Sequence, residues 1–339
     1  MSDILIIDGS NFFVRALYGM SSSGPLQNSQ GQETTAIYNF LIGLRLRIFE
    51  EKPEETYIIF DFGRDTRKKQ LYKDYKANRD INLSDLSGSD YDIAVNKSES
   101  FKRQKAVVID ILKTLPVKLV LLQQIEGDSL MAYVARHFSD RDKTVTIVSN
   151  DRDFYQLLCK PNICMWNPHK KIKITQKNLA EVSKVDIPPP AWRVYKSMIG
   201  DKGDNIIGLP NIGNKRGQLI LDLIMASGHE CPTTIEQLFT VFDETKDHPE
   251  YEKLVKKFGK YFTEENKKLL AMNYELVDLL DCTFSPQALS VIYKAIESKP
   301  SYSKMEFVQH LIRENIHSLL ASTDRFIDPF VNMLPKETA

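Results

Sequence analysis

The stretch Met1-Ser2-Asp3-Ile4-Leu5-Ile6-Ile7-Asp8 decides the fold. Four consecutive aliphatic residues, closed by a carboxylate, make a run too short for a helix. A run apolar on both faces reads as a strand buried on both sides. Three further runs share this form: Thr56–Phe60, Val117–Leu122 and Thr144–Val148. Between them lie stretches of helical pattern, Thr34–Phe49, Phe101–Leu115 and Asp128–Phe138. Strands alternating with helices predict an α/β domain with a mostly parallel sheet covered on both faces. The tract Ile81–Ser100, rich in Ser, Asp and Asn, reads as an excursion from that core.

After Pro188-Pro189-Pro190 the pattern changes to helices without convincing strands. Helices are expected at Ala191–Ile199, Lys215–Met225, Ile235–Phe242, Tyr251–Phe262, Lys267–Leu279 and Met305–Glu314. The tail from Thr323 is weakly patterned. The expected division is therefore an α/β domain over 1–185 and a helical domain over 186–339.

Composition sets the outer limits. With 339 residues, 42% hydrophobic and 10% aromatic, the chain has material for a large core. Lys+Arg and Asp+Glu are both 45, so the formal net charge is zero, which by itself argues against a nucleic-acid binder. No apolar run approaches the ~18 residues of a membrane span. The first residues lack the basic and long apolar regions of a secretion signal. Four scattered cysteines without a CxxC pair read as reduced thiols. The expectation is a cytoplasmic protein, without membrane contact and monomeric.

The position of the acids is more informative than their number. Asp8 follows the first run, Asp61 the second, Glu126 and Asp128 the third, Asp151 and Asp153 the fourth. In a parallel sheet the carboxyl ends of strands share one edge, where ligands bind. Any one acid alone is best read as a helix N-cap. A carboxylate at the end of every run is better explained by hard divalent cations, Mg²⁺ or Mn²⁺, held by oxygen. No histidine accompanies them, which disfavours zinc. Two such ions suit in-line displacement at phosphorus.

The helical region adds Asp201 and Asp204 in Gly200-Asp201-Lys202-Gly203-Asp204-Asn205. The stretch Gly208 to Gly217, which includes Gly213, Lys215 and Arg216, reads as a turn and helix start suited to phosphate, or as an ordinary helical hairpin. From Arg64 to Arg79 seven basic residues stand against two acidic ones, interleaved with Tyr72 and Tyr75. That composition suits a strand-tracking surface. Lys160 to Lys177 carries five lysines and no acid, on an expected hairpin, and reads as generic surface.

Five motifs in order now resemble a known family. They are LIIDGSNFFVRALYG, YIIFDFGRDTR with YKDYKANR, QQIEGDSLMAY, IVSNDRDFYQLL and MIGDKGDNIIGLPNIGNKRG, covering about 5–220. The chain resembles the 5′ nucleases: flap endonucleases, the 5′-nuclease domain of bacterial DNA polymerase I, and stand-alone bacteriophage 5′-exonuclease/RNase H enzymes. Its lack of a polymerase region looks most like a phage enzyme.

The resemblance implies a PIN-like domain followed by a helix–hairpin–helix DNA clamp at about 191–226, with an arch or clamp at about 80–105 that a 5′ single strand passes under or through. It implies two Mg²⁺ ions, with Mn²⁺ as a substitute, held by Asp8, Asp61, Glu126, Asp128, Asp151, Asp153, Asp201 and Asp204. Lys76, Arg79, Asp61 and Asp128 correspond to the catalytic set, and Arg15, Tyr75, Lys76 and Arg79 to residues near the nucleic acid. Gly208, Gly213, Lys215 and Arg216 fall in the clamp, where the resemblance implies a K⁺ site at the turn carbonyls. The implied substrates are DNA and RNA–DNA duplexes with 5′ ends, flaps or nicks, cut during replication or repair. A single-strand-binding protein or another replication protein is the partner class expected, and a bacterial or infected host cell the setting. Ser129 stands where many relatives have a further aspartate, which implies that one ion is held more weakly or through water. Two other classes fit less of the pattern: a PIN-type RNA nuclease, and a catalytically silent branched-DNA-binding protein.

Overall fold

The computed structural model describes residues 2–19, 25–63, 65–79, 89–245 and 252–334. In chain order the elements begin with β1 (Ile4–Asp8), α1 (Gly9–Tyr18), α2 (Thr35–Glu51), β2 (Glu55–Phe62), α3 (Thr66–Leu71) and α4 (Ser89–Leu112). Next come β3 (Lys118–Gln123), α5 (Gly127–Ser139), β4 (Val145–Val148), β5 (Ile163–Asn167), β6 (Ile172–Ile174), α6 (Leu179–Ser183) and α7 (Trp192–Ile199). A two-residue ladder of β7 (Gly200–Asp201) and β8 (Ile206–Ile207) leads to α8 (Asn214–Ala226), α9 (Ile235–Thr245), α10 (Glu252–Phe258) and α11 (Glu264–Val277). The chain ends in α12 (Pro286–Glu297), α13 (Lys304–Arg313), α14 (His317–Leu320) and α15 (Thr323–Val331).

Packing gathers these elements into two compact units, neither continuous in sequence. One is formed by 1–63, 82–150 and 284–339, the other by 64–81 and 151–283. This differs from the expected division at 185. The composition change after Pro188 marks where strands give way to helices, but the last helices contribute to the first unit.

In the first unit the strands run parallel in the order β3-β2-β1-β4. Register sets Ile4 beside both Glu55 and Val145, and Tyr57 beside Lys118. Leu5, Ile6 and Ile7 are fully buried, as two covered faces require. On one face α1 and α2 interlock through Phe12 and Phe40, with ring centroids 5.2 Å apart. Phe13 meets Phe101 of α4 edge-on at 5.2 Å. The elements expected here all form, with ends shifted by a few residues except at α4, which begins well before Phe101.

The excursion expected over Ile81–Ser100 is corrected in its second half. Residues 89–100 are the beginning of α4; residues 80–88 lie outside the described set. Once a helix is nucleated, each further turn costs little, so a buried second half carries a polar first half with it. Buried Gln104 anchors α4 by accepting a hydrogen bond from the Ala36 N–H at 2.9 Å.

The C-terminal helices escaped the sequence reading in part. α12 packs on β3 and α15 on α2. α15 contains Pro329 and is short, which hides its helical character although Phe326, Ile327 and Phe330 fall on one face. Burial of Phe326 and Phe330 supports it, at about 1.5–3 kcal/mol for each such side chain.

The second unit holds the antiparallel hairpin of β5 and β6, expected from Cys164-Met165-Trp166 and Ile172-Lys173-Ile174, and the helices α6 to α11. No described helix is long and apolar enough to cross a membrane.

Candidate metal centres and nucleic-acid interface

The first unit carries Asp8, Asp61, Glu126 and Asp128 at the carboxyl ends of β1, β2 and β3. Each strand passes directly or through a short loop into a helix, so the acids meet helix N-termini. Asp8 is the N-cap of α1, and its Oδ1 accepts from the Asn11 N–H at 2.9 Å. Its other oxygen accepts from the Ser149 hydroxyl at 2.8 Å, and the residue is buried. Asp61 is exposed, and its Oδ1 accepts from the Gly127 N–H, in the first turn of α5, at 2.7 Å. Glu126 is the buried N-cap residue of α5, and Asp128 stands in its first turn.

Gly127 explains how Asp61 comes so close. A Cβ at this position would lie 2.8 Å from Asp61 Oδ1, inside any normal contact. Glu126-Gly127-Asp128 thus sets two acids on either side of a residue whose missing side chain admits a third. Ser129, next in the helix, is buried. Lys105 of α4 was not anticipated. It is half-buried, its Nζ donates to the Asp61 backbone carbonyl at 3.4 Å, and it lies 5.2 Å from the centre of the Phe60 ring. Burial holds its ammonium below the usual lysine range, against the opposing pull of Asp61.

The second unit carries the other four acids. Asp151 is the N-cap of a 3-10 helix over Arg152–Cys159 and accepts from the Asp153 N–H at 2.9 Å. Burial pushes its carboxyl up, and the charges of Asp204 and Asp201 add to the rise. Asp153 is pushed up to about 7, first by burial and then by the charge of Asp151. Lys196 of α7 answers these charges. Its Nζ lies 2.9 Å from Asp153 Oδ1 and donates to Asp201 Oδ2. Burial disfavours its ammonium, but the two carboxylates outweigh that and raise it above the ordinary lysine range. For Asp201 burial acts upward, yet Lys196 and the N–H groups of Gly203 and Asp204 prevail and hold it low. Lys196 also escaped the sequence reading, although its place five residues before Asp201, one turn into a helix, is visible there.

Asp204 is tied to the basic segment. Lys76, in left-handed conformation at φ 55°, donates its N–H to the Asp204 carbonyl at 2.9 Å. Its Nζ stands 3.6 Å from Asp204 Oδ2, which also accepts from the Tyr75 hydroxyl at 3.1 Å. Tyr75 was expected near terminal bases. Instead it is buried, 3% exposed, in a cluster with Ile206, Leu276 and Val277, and offers no free ring face for stacking. An aromatic between basic residues cannot be told from a core residue until the fold shows what covers it. Arg79 closes a short 3-10 helix from Ala77; its side chain lies outside the described set.

The hairpin between α7 and α8 is a tight glycine-rich turn. Gly200, at φ 73°, and Gly208 lie back to back: a Cβ on Gly200 would come within 2.4 Å of the Gly208 nitrogen. Gly213 caps α8, and Lys215 and Arg216 are exposed in its first turn. The Arg216 guanidinium donates to the Asn211 carbonyl at 2.8 Å. Arg15 is exposed in the last turn of α1 in the first unit.

Among the described residues, no three His, Cys, Asp or Glu side chains stand at ion-holding spacing. Like-charged carboxylates keep apart, and Lys196 sits between Asp153 and Asp201. The donor set nevertheless fits hard divalent cations. It is all oxygen, and neighbouring carboxylates add to the rise of both acids, Asp204 and Asp201 at Asp151, and Asp151 and Asp201 at Asp153, a penalty that a bound cation removes.

Comparison with known proteins supplies the context. The family described as "5′-3′ exonuclease, N-terminal resolvase-like domain" matches residues 3–184. A 5′-3′ exonuclease of Aquifex aeolicus is 28% identical over 331 residues, 96% of each chain. DNA polymerase I of Bacillus caldotenax is 26% identical over 72% of this chain, which spans only 25% of that protein. Among solved structures, bacteriophage T5 5′-exonuclease with divalent zinc ions bound superimposes with a TM-score of 0.63, at 18% identity, over 97% of this chain and 98% of that one.

Proposed function

The chain belongs to the 5′-3′ exonuclease family and is a structure-selective 5′ nuclease; from this premise we propose how its residues act and on what. The substrates are DNA and RNA–DNA duplexes with 5′ ends, flaps or nicks. Cleavage by 5′→3′ exonuclease, flap endonuclease and RNase H-type action serves primer removal during replication or repair. Bound at these acids, two Mg²⁺ ions supply charge neutralisation and lower the pKa of water for attack at phosphorus, with Mn²⁺ as a substitute.

Asp8, Asp61, Glu126 and Asp128 hold one ion, and Asp151, Asp153, Asp201 and Asp204 the other. Ser149 and the N–H groups of Asn11 and Gly127 fix Asp8 and Asp61 before any ion arrives. Preorganised donors of this kind lower the cost of assembling a charged site. Lys196 holds Asp153 and Asp201 in place by charge. Lys76 orients Asp204 and, with Arg79, stabilises charge developing on the phosphate. Arg15, Lys215, Arg216 and the turn from Gly208 to Gly213 bind the backbone of the nucleic acid, with K⁺ at the turn carbonyls. The protein works as a cytoplasmic monomer, in a bacterial or infected host cell, beside a single-strand-binding partner.

The observation that carries this reading is the carboxylate set closing β1, β2 and β3, with Asp61 seated on the α5 N-terminus by Gly127. The test is a Mg²⁺-dependent assay on 5′-labelled flap, nicked and RNA-primed duplexes, with single-stranded RNA alongside and product sizes read. Cleavage near the 5′ junction is expected. Cleavage of the single-stranded RNA alone would transfer the chain to the RNA nucleases, and no cleavage at all to silent DNA binders.

A further inference from the structure

Among the described residues, Lys113, Lys118, Lys143, Lys196 and Lys304 each lie within 3.0 Å of a carboxylate. Lys256, Lys257 and Lys260 do not. They are exposed on α10 and the turn of 3-10 helix that follows it. Among the described residues no carboxylate stands within ion-pair range of any of the three. From Lys253 to Lys268 the sequence holds six lysines against two glutamates.

Their placement gives the charge a direction. α10 packs against α8, the helix that begins with the clamp residues Lys215 and Arg216. Leu219 and Leu223 of α8 and Lys256 and Lys257 of α10 line one open groove of about 600 Å³. Two of the ammonium groups sit over aromatic rings: Lys257 Nζ lies 5.6 Å from the centre of Phe258, and Lys260 Nζ 5.1 Å from that of Tyr261. Phe258 and Tyr261 are buried, so these contacts position the two ammonium groups at the surface of the unit, on residues that are themselves exposed. Uncompensated, pre-positioned ammonium groups with an apolar floor beside them suit the sugar–phosphate backbone. Phosphates take the charges, and no base edge is read.

We propose that Lys256, Lys257 and Lys260 form a second phosphate-binding strip, which takes the backbone of duplex DNA next to the part gripped by the α7–α8 clamp. The strip rests on the nuclease reading for its ligand but adds residues that lie past its motifs. It lengthens the bound duplex without adding sequence preference.

The experiment measures equilibrium binding of the full chain to a 5′-flap duplex, without divalent ions, across a salt series. For Lys256→Gln/Lys257→Gln/Lys260→Gln the slope of log Kobs against log salt should fall by about 2–3, near 0.9 for each phosphate that is no longer neutralised. The weakening should be the same for unrelated sequences and should fade as the duplex arm is shortened. The triple Lys→Arg variant should keep the slope. If the triple variant does not fold by circular dichroism, Lys256→Gln and Lys257→Gln singly should each lower the slope by about 0.9. An unchanged slope overturns the strip, as does weakened binding to polyglutamate with the DNA slope intact, which would assign the lysines to an acidic protein surface. Salt-dependent binding by a parent protein that cleaves nothing would defeat the nuclease reading alone, because the slope is still read.

Discussion

The two units differ in the donors that hold most of their carboxylates. In the first, Asp8 and Asp61 are steadied by neutral dipoles: the N–H groups of Asn11 and Gly127 and the hydroxyl of Ser149. In the second, Asp153, Asp201 and Asp204 are steadied by ammonium groups, Lys196 and Lys76. Neutral donors leave the negative charge available to a cation. An internal ammonium partly satisfies that charge and must share it when a metal ion arrives. The first arrangement favours tight, early ion binding. The second makes ion binding compete with a residue already in place.

The largest effect should come from breaking the first arrangement at its exposed acid. Asp61→Asn removes charge without volume and should lower kcat by about 10³-fold or more while DNA binding persists. Turnover close to the parent would withdraw Asp61 from the site. Gly127→Ala should follow. Its added methyl meets Asp61 Oδ1 and displaces it, and a shift of about 1 Å at a reacting site costs on the order of 10²-fold. Because the position is helical, thermal stability should hardly move, so activity and melting should separate.

Lys196→Met tests the second arrangement. Removing one partner from a largely buried cluster should destabilise the metal-free protein by about 3 kcal/mol, read by denaturant melts in chelator. Added Mg²⁺ should recover much of that stability, since it can neutralise the same acids. A variant as stable as the parent in chelator would remove Lys196 from this role.

The smallest effect is a pH dependence. Asp153 is pushed up to about 7, so the folded, metal-free protein holds this proton more tightly than the unfolded chain does. Stability should therefore fall as pH rises from the ordinary carboxylate range towards 7. Asp153→Asn should flatten this slope in chelator melts.

Legibility in the sequence follows the same division. The acids of the first unit could be placed from Ile4–Ile7 and its counterparts, because a strand buried on both faces announces itself by its own residues. The acids of the second unit could be named but not their partners. Lys196 looks like any exposed helical lysine until α7 is set beside Asp153. Tyr75 shows the converse error: basic neighbours suggested a nucleic-acid surface, while Ile206, Leu276 and Val277, distant in sequence, bury it.

The amino-acid order by itself determined the parallel α/β core, the carboxylates at its strand ends and the glycine-rich turn before α8. Periodicity, burial on two faces and glycine's freedom are local properties. Only the tertiary structure decided that the last helices pack with the first strands, that α4 starts at Ser89, and that Gly127 makes room for Asp61. It also decided which ammonium groups are paired with acids and which, like Lys256, Lys257 and Lys260, have no described carboxylate beside them. Charge pairing depends on distance, falls off within a few ångströms and is set by packing between segments far apart in the chain.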